Sequence, residues 1–159
     1  MVTGILLFAL ASSGVQPSPA PPPAEQAAIF SAAGFKKHGS SWKSGNCDGA
    51  ESESYSPGTI DGVQDLNGDG RPEAIVIESG AICYGMTGMH FWLLSKQADG
   101  RWKRVTDETA MPDFLKTTGV GGWPDIQLGG PGFCFPVLRW NGKIYASHRN
   151  EYEGKPCRP

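Results

Sequence analysis

The chain has 159 residues, a formal net charge of −2 at pH 7 and an isoelectric point near 5.9, so its charge indicates neither a nucleic-acid partner nor an anionic membrane surface. Its 22 glycines and 13 prolines are too many for a helical bundle. Together with 10% aromatic residues, they favour one domain of short strands joined by tight turns.

The first residues have the pattern of an export signal. Residues 5–10 form a short apolar run, and Ala9-Leu10-Ala11 fits the small-x-small cleavage rule. The run is too short for a permanent membrane span, which needs about 20 apolar residues. We therefore predict a signal peptide over residues 1–11, a proline-rich linker over 12–23 and a single domain over 24–159, located in the periplasm or outside the cell. A buried N-terminal helix is the alternative, but the prolines that follow fit it badly.

A helix is predicted from Ala24 to Ala33. Pro23 suits its first turn, apolar residues recur at helical spacing, and Gly34 supplies a left-handed stop. Phe35 is then placed to pack back on Phe30. We expect this helix to dock on a sheet; a helix that binds a partner is the alternative.

The loop over residues 65–73 is the most specific motif. It places oxygen-bearing groups at positions one, three, five, seven and nine, and Gly70 permits the sharp reversal. Ca²⁺ takes six to eight oxygen ligands at about 2.3–2.6 Å, so this spacing predicts a cation site. The predicted ligands are Asp65, Asn67, Asp69, the Arg71 carbonyl and Glu73. Position twelve is Val76, which excludes an EF-hand.

The same residues resemble the D-x-[DN]-x-D-G-x-x-[DE] loops of FG-GAP and VCBS-type repeats, the cation-binding hairpins of integrin-like β-propellers. The resemblance covers Asp65 to about Ile77 in a single copy, and Glu73 stands where those loops more often have Asp. It implies a structural Ca²⁺ in this loop and leaves the rest of the chain unassigned. The alternative is an Asx-rich turn that holds no metal. Eight acidic residues and one basic residue between positions 48 and 78 favour the cation, which would relieve their mutual repulsion.

The four cysteines are an even number without C-x-x-C spacing, so an exported chain would form two disulfides. Three pairings are open. We predict Cys47–Cys83 and Cys134–Cys157, because each joins a loose flank to a strand-rich unit.

An imperfect internal repeat predicts two related hairpin units. Residues 73–84 and 125–135 are each followed by apolar runs that flank an Asp-Gly turn at Asp99 or an Asn-Gly turn at Asn141. The fold class is therefore α+β, mainly antiparallel β, with the N-terminal helix packed on two units that each resemble a single propeller blade. Between the units, Met111–Lys116 is predicted to form a helical turn that covers a sheet edge.

Catalytic motifs are scarce: the sequence contains no G-x-S-x-G and no H-E-x-x-H. His90 would be a general base only if the fold brought a carboxylate to it, and Asp107, Glu108 and Asp125 are candidates for an acid pair. The tryptophans fit core packing or an exposed face for carbohydrate or protein, with Trp123 the one to examine at the surface.

These observations favour an exported non-catalytic binding domain with a structural Ca²⁺, whose ligand is an unknown protein or carbohydrate of the cell envelope. A small secreted hydrolase that uses His90 or an Asp/Glu pair is the alternative. A purely structural envelope protein is a third possibility.

Overall fold

The computed structural model describes residues 20–49 and 52–159. The predicted signal peptide and most of the predicted linker lie outside them. The described chain has a first helix, eleven strands, and a short helix with two 3₁₀ turns in the connections. The helices are α1 (Pro23–Ala33) and α2 (Ala81–Tyr84), and the 3₁₀ turns are Gly85–Thr87 and Val120–Gly122. The strands are β1 (Lys36–His38), β2 (Ser41–Lys43), β3 (Ser56–Gln64), β4 (Glu73–Ser79), β5 (Met89–Lys96), β6 (Trp102–Glu108), β7 (Met111–Thr118), β8 (Pro124–Gly129), β9 (Phe135–Trp140), β10 (Tyr145–Tyr152) and β11 (Lys155–Pro156).

All strand pairs are antiparallel, and the prediction of a mainly antiparallel β fold is confirmed. The strands form a β1–β2 hairpin, a four-stranded sheet in the order β3-β4-β5-β6 and a five-stranded sheet in the order β11-β10-β9-β8-β7. Each large sheet is a meander in which sequence neighbours pair, as short antiparallel connections allow.

The domain has three layers, which are α1, the four-stranded sheet and the five-stranded sheet. Strand β4 contributes to both hydrophobic cores. Successive side chains of a strand point to opposite faces. Ala74 and Val76 therefore pack under α1, in a cluster with Ile29 and Phe30. The opposite face of β4, including Ile75, packs against the five-stranded sheet in a second cluster. Both faces of this strand are buried, which explains its continuous apolar run Ala74-Ile75-Val76-Ile77.

Helix α1 ends as its sequence indicates. Gly34 has φ +91°, the Phe35 N–H donates to the Phe30 carbonyl at 2.9 Å, and the Phe30 and Phe35 rings lie 5.6 Å apart. At the other end, Glu25 Oε1 accepts hydrogen bonds from Lys96 Nζ at 2.7 Å and Trp102 Nε1 at 2.9 Å. These bonds attach the first turn of the helix to β5 and β6.

The predicted helical turn at Met111–Lys116 is wrong. This segment lies within β7, the edge strand of the five-stranded sheet, and pairs with β8 so that Phe114 lies opposite Ile126. Gly129 makes the close pairing possible, because a Cβ there would lie 3.0 Å from the Met111 carbonyl oxygen.

The two disulfides have the predicted pairing. Cys47–Cys83 joins the segment after β2 to α2, with Cα atoms 5.3 Å apart. Cys134–Cys157 joins the β8–β9 connection to the segment after β11, with Cα atoms 5.6 Å apart. No helix among the described residues combines the length and apolar character that a bilayer span requires.

Candidate functional site

The predicted cation loop connects β3 to β4 and is curled around Asp65. The Oδ1 atom of Asp65 accepts the N–H of Gly68 and its Oδ2 accepts the N–H of Gly70, both at 2.8 Å. The Gly70 bond, together with that of Gly68, lowers the pKa of Asp65. Gly68 and Gly70 both have positive φ, near 80°, which glycine adopts readily.

The next two predicted ligands continue the curl. Asn67 Oδ1 accepts the Asp69 N–H at 2.9 Å, and Asp69 Oδ1 accepts the Arg71 N–H at 2.8 Å. The Arg71 guanidinium also bonds Asp69 Oδ2 at 2.5 Å. Alternate side-chain oxygens are therefore held by the loop's own backbone, as in consecutive Asx turns.

Glu73 differs from the other ligands because it is buried, with 1% of its surface exposed. Burial raises its pKa, and the nearby charges of Asp69 and Asp65 raise it further, against the opposing hydrogen bonds from the Leu66 N–H and the Ser95 hydroxyl. The charges of Asp69 and Asp65 therefore oppose the ionisation of Glu73.

The five predicted ligands are all oxygen donors, the kind that a hard cation takes. Among residues 20–49 and 52–159, no group of three or more His, Cys, Asp or Glu side chains is arranged to hold a metal ion. The three carboxylates of the predicted site, Asp65, Asp69 and Glu73, therefore do not form such a group in this structure. Each carboxylate oxygen of Asp65 accepts one hydrogen bond and has two lone pairs, so acceptor capacity remains.

His90 lies in the four-stranded sheet, at the end opposite the β3–β4 loop, and it contacts a carboxylate. Its Nε2 is 3.3 Å from Asp107 Oδ1, and its Nδ1 is 2.8 Å from Thr109 Oγ1. Strand pairing explains the contact, since β5 and β6 place Trp92 opposite Asp107 and His90 shares the face of Trp92. The His90 side chain is 13% exposed, and the Trp92 ring lies 4.3 Å away. Asp107 also faces Arg104 at 3.5 Å.

Glu78 is a buried carboxylate beside His90, directly opposite it across β4 and β5. It accepts hydrogen bonds from the Ser44 N–H at 3.1 Å, the Ser44 hydroxyl, the Tyr55 hydroxyl at 2.9 Å and the Tyr84 hydroxyl at 2.5 Å. Burial, followed by the hydrogen bond to Glu78, raises the pKa of Tyr84 to about 12. The alternation of β4 places Glu78 on the face of Ala74 and Val76, a signal that could have identified it as buried.

The predicted acid pairs do not converge. Asp107 and Glu108 are neighbours in β6 and point to opposite faces of the sheet. Asp125 lies on β8 in the other sheet and is fully buried among basic partners. It bonds Arg139 Nε and Nη2 at 2.8 Å each, Arg149 Nη1 at 2.7 Å and the Thr117 hydroxyl at 2.6 Å.

These partners set the electrostatics of Asp125. Burial alone would raise its pKa, but the hydrogen bonds from Arg139, Arg149 and Thr117 outweigh burial and hold the pKa well below its usual value. Arg149 also bonds Glu151 at 2.8 Å. Neither arginine is predicted from the sequence, where the signal for them is weak because they are 14 and 24 residues from Asp125.

A groove of about 580 Å³ adjoins this network on the five-stranded sheet. Its lining includes Thr118, Arg139, Asn141, Ser147 and His148. The turn after β7 closes one side, where a Cβ on Gly119 would lie 2.2 Å from the Trp140 carbonyl oxygen. Only glycine permits this approach.

The tryptophans belong to the core. Trp92 and Trp102 are buried, and Trp42, Trp123 and Trp140 are partly buried against the two clusters. Trp123 lies 5.5 Å from the Trp140 ring and 6.2 Å from the Tyr145 ring, so it packs inward and does not form an exposed aromatic face.

Comparisons of the chain with protein-family models, with curated proteins and with solved structures give no significant match.

Proposed function

We propose that this chain is an exported binding domain whose β3–β4 loop holds one structural Ca²⁺. The observation that carries the binding function is the groove on the five-stranded sheet. Its volume of about 580 Å³ lies within the range of small-ligand sites, and hydroxyl, amide, imidazole and guanidinium groups line it. We take an envelope carbohydrate as the leading ligand class, with a protein segment as the other.

The Ca²⁺ proposal rests on the repulsion within the loop. Burial raises the pKa of Glu73 and the charges of Asp69 and Asp65 raise it further, while within the loop only Asp69 has a guanidinium partner. A divalent cation would remove this repulsion and would use the remaining lone pairs of the carboxylates. A chelator is therefore expected to lower the melting temperature.

Export is supported by the two disulfides, which persist in oxidising compartments, and by the signal pattern of residues 1–11. We further propose that the two large sheets are related units. β3–β6 and β7–β10 are both four-stranded meanders, the arrangement of a propeller blade, and here two such units stack face to face.

The binding function is tested on an array of envelope carbohydrates and peptides, probed with the purified wild-type domain and with Ala146→Tyr. Ala146 lines the groove beside Arg139, its cross-strand partner, so a tyrosine there would fill it. We expect the wild type to bind a defined subset of the array and the variant to lose that binding. Binding that survives unchanged in Ala146→Tyr, or no binding by folded wild type, would refute a function centred on this groove.

Hydrolysis at His90 is a second candidate, favoured by the Asp107–His90–Thr109 contacts. Asp107 would orient the imidazole, and His90 would act as general base toward the Thr109 hydroxyl or a water molecule.

The expected outcome for a hydrolase is that His90→Gln slows p-nitrophenyl acetate hydrolysis by about 100-fold, the usual size of a general-base contribution. His38→Gln is the matched control, because His38 is an exposed histidine in the β1–β2 hairpin. Equal rates for the two variants and the wild type would eliminate this candidate.

A further inference from the structure

We propose that the groove recognises an acidic sugar, and that Arg139 binds its carboxylate. This inference rests on the proposed binding function and specifies its ligand class.

Arg139 is held in a fixed orientation. Its Nε and Nη2 donate to the two oxygens of Asp125, each at 2.8 Å, which fixes the plane of the guanidinium group. Asp125 is itself fully buried, and Thr117 and Arg149 also bond it. Within the described part of the chain, none of the hydrogen bonds of Arg139 uses Nη1. The side chain is 35% exposed, so this nitrogen and its two N–H groups are available to a ligand in the groove.

Asn141 supplies a second fixed donor. Its Oδ1 accepts the N–H groups of Lys143 at 2.9 Å and Ile144 at 3.0 Å, within the β9–β10 turn. Because the oxygen is committed to the turn, the amide NH₂ points away from those two N–H groups. Arg139 and Asn141 both line the groove. Each has N–H groups available to a ligand while its other polar atoms keep the hydrogen bonds described above.

The charge of the groove suits an anion. None of the described residues that line it is acidic, although the whole chain has 16 Asp and Glu residues. Beneath the groove, Arg139 and Arg149 balance Asp125 and Glu151, so a bound carboxylate would meet no excess of negative charge. A planar guanidinium edge matches a carboxylate better than it matches a neutral hydroxyl.

The remaining lining favours a sugar over a simple anion. Thr118 and Ser147 contribute hydroxyl groups, which both donate and accept hydrogen bonds, and His148 contributes an imidazole. A polyhydroxylated ring with one carboxylate, as in a uronic acid, can use the hydroxyl groups and the guanidinium at once.

The inference is tested by isothermal titration of the purified, disulfide-bonded domain with D-glucuronate, D-glucose and inorganic phosphate. We expect D-glucuronate to bind at one site and D-glucose to bind at least about tenfold more weakly, because it lacks the charge-assisted hydrogen bond. Arg139→Lys keeps the charge but loses the Nη1 donors, and should weaken D-glucuronate binding about tenfold or more.

Arg149→Lys is the matched control. Arg149 bonds the same Asp125 oxygen and should cost similar stability, yet it does not line the groove, so affinity should change by less than about twofold. Ala146→Tyr should abolish the titration signal, because the tyrosine would fill the groove beside Arg139.

Three outcomes would overturn the inference: no D-glucuronate binding by folded wild type, equal loss in Arg139→Lys and Arg149→Lys, or phosphate binding as tight as D-glucuronate binding. If the array experiment identifies a groove ligand without a carboxylate, the proposed binding function stands and this inference fails.

Discussion

The surroundings of Asp125 determine how it contributes to the stability of the domain. It is buried beneath two guanidinium groups, and such a carboxylate contributes stability only while it is ionised and fully bonded. Because its folded-state pKa is depressed, its contribution is present above the unfolded-state pKa of about 3.9 and is lost as the pH falls through the folded-state value.

We predict that Asp125→Asn lowers the free energy of unfolding at pH 7 by about 3 kcal/mol, because it removes the charge that both arginines face. Urea denaturation of wild type and variant at pH 7 and again near pH 2.5 measures this difference. The difference should shrink at the lower pH, because Asp125 takes up a proton in the unfolded chain there, whereas the folded carboxyl still resists protonation. Asp113→Asn, on an exposed position of the neighbouring strand β7, serves as the control and should change the free energy by less than about 0.5 kcal/mol. A difference that stays constant with pH would contradict this account.

Strand β4 shows which structural features the sequence predicts and which it does not. Its apolar run predicts a buried strand, and the acids at positions 73 and 78 close that run at both ends. The sequence predicts the loop before β4, because turn-forming residues act over a few positions. The partners of Glu78 lie at least six residues away, and Ser44 is 34 residues away, so only the assembled fold brings them together.

The segment Met111–Lys116 illustrates the opposite case. The segment is predicted to be a helical turn that covers a sheet edge, and Met111, Phe114 and Leu115 do stand at helical spacing. A turn this short is unfavourable to nucleate, whereas pairing with β8 supplies a ladder of hydrogen bonds and places Phe114 against the second core. Tertiary pairing therefore outweighs the local pattern.

The elements at the C-terminal end depend on the Cys134–Cys157 disulfide. Strand β11 has two residues and pairs only with β10, so few contacts hold it. The disulfide closes a separation of 23 residues and restricts the unfolded chain.

Replacing both cysteines by serine should lower the free energy of unfolding by about 3 kcal/mol, according to the loop-closure relation. Urea denaturation of the double variant beside the wild type measures the change. The Cys47–Cys83 double variant is the comparison, and because its separation of 36 residues is longer, it should lose slightly more. A free energy of unfolding equal to that of the wild type in either variant would contradict this expectation, because it would mean that the disulfide adds no stability to the domain.

Across the whole molecule, the acidic β3–β4 loop and His90 lie at opposite ends of the four-stranded sheet. The β3–β4 loop lies at the end where β5 finishes, since Glu73 pairs with Ser95, whereas His90 lies near the start of β5. The loop also contacts the second sheet: Gly122, in the turn that helps to form the groove, approaches the Asn67 carbonyl so closely that a Cβ would lie 2.4 Å from it. Order in the acidic loop therefore supports the turn beside the groove.

This arrangement also explains the limits of prediction for the sites. The five predicted ligands of the loop lie within nine residues, so their spacing alone is enough to propose them. The groove combines residues from the ends of β7 and β9 with the start of β10, and Arg139 is fixed by an aspartate on a different strand. Such a site depends on strand register, which the internal repeat indicates only coarsely.

Thermal unfolding of the disulfide-bonded domain, in excess Ca²⁺ and in chelator, tests the central claim most directly. At a Ca²⁺ concentration 100 times the dissociation constant, binding adds about 2.7 kcal/mol, which raises the melting temperature of a domain this size by about 5–10 °C. Asp69→Ala should lose most of this shift. Asp99→Ala should keep it, because Asp99 bonds Arg101 much as Asp69 bonds Arg71 but lies outside the acidic loop. A wild-type melting temperature that is the same in Ca²⁺ and in chelator would contradict the account.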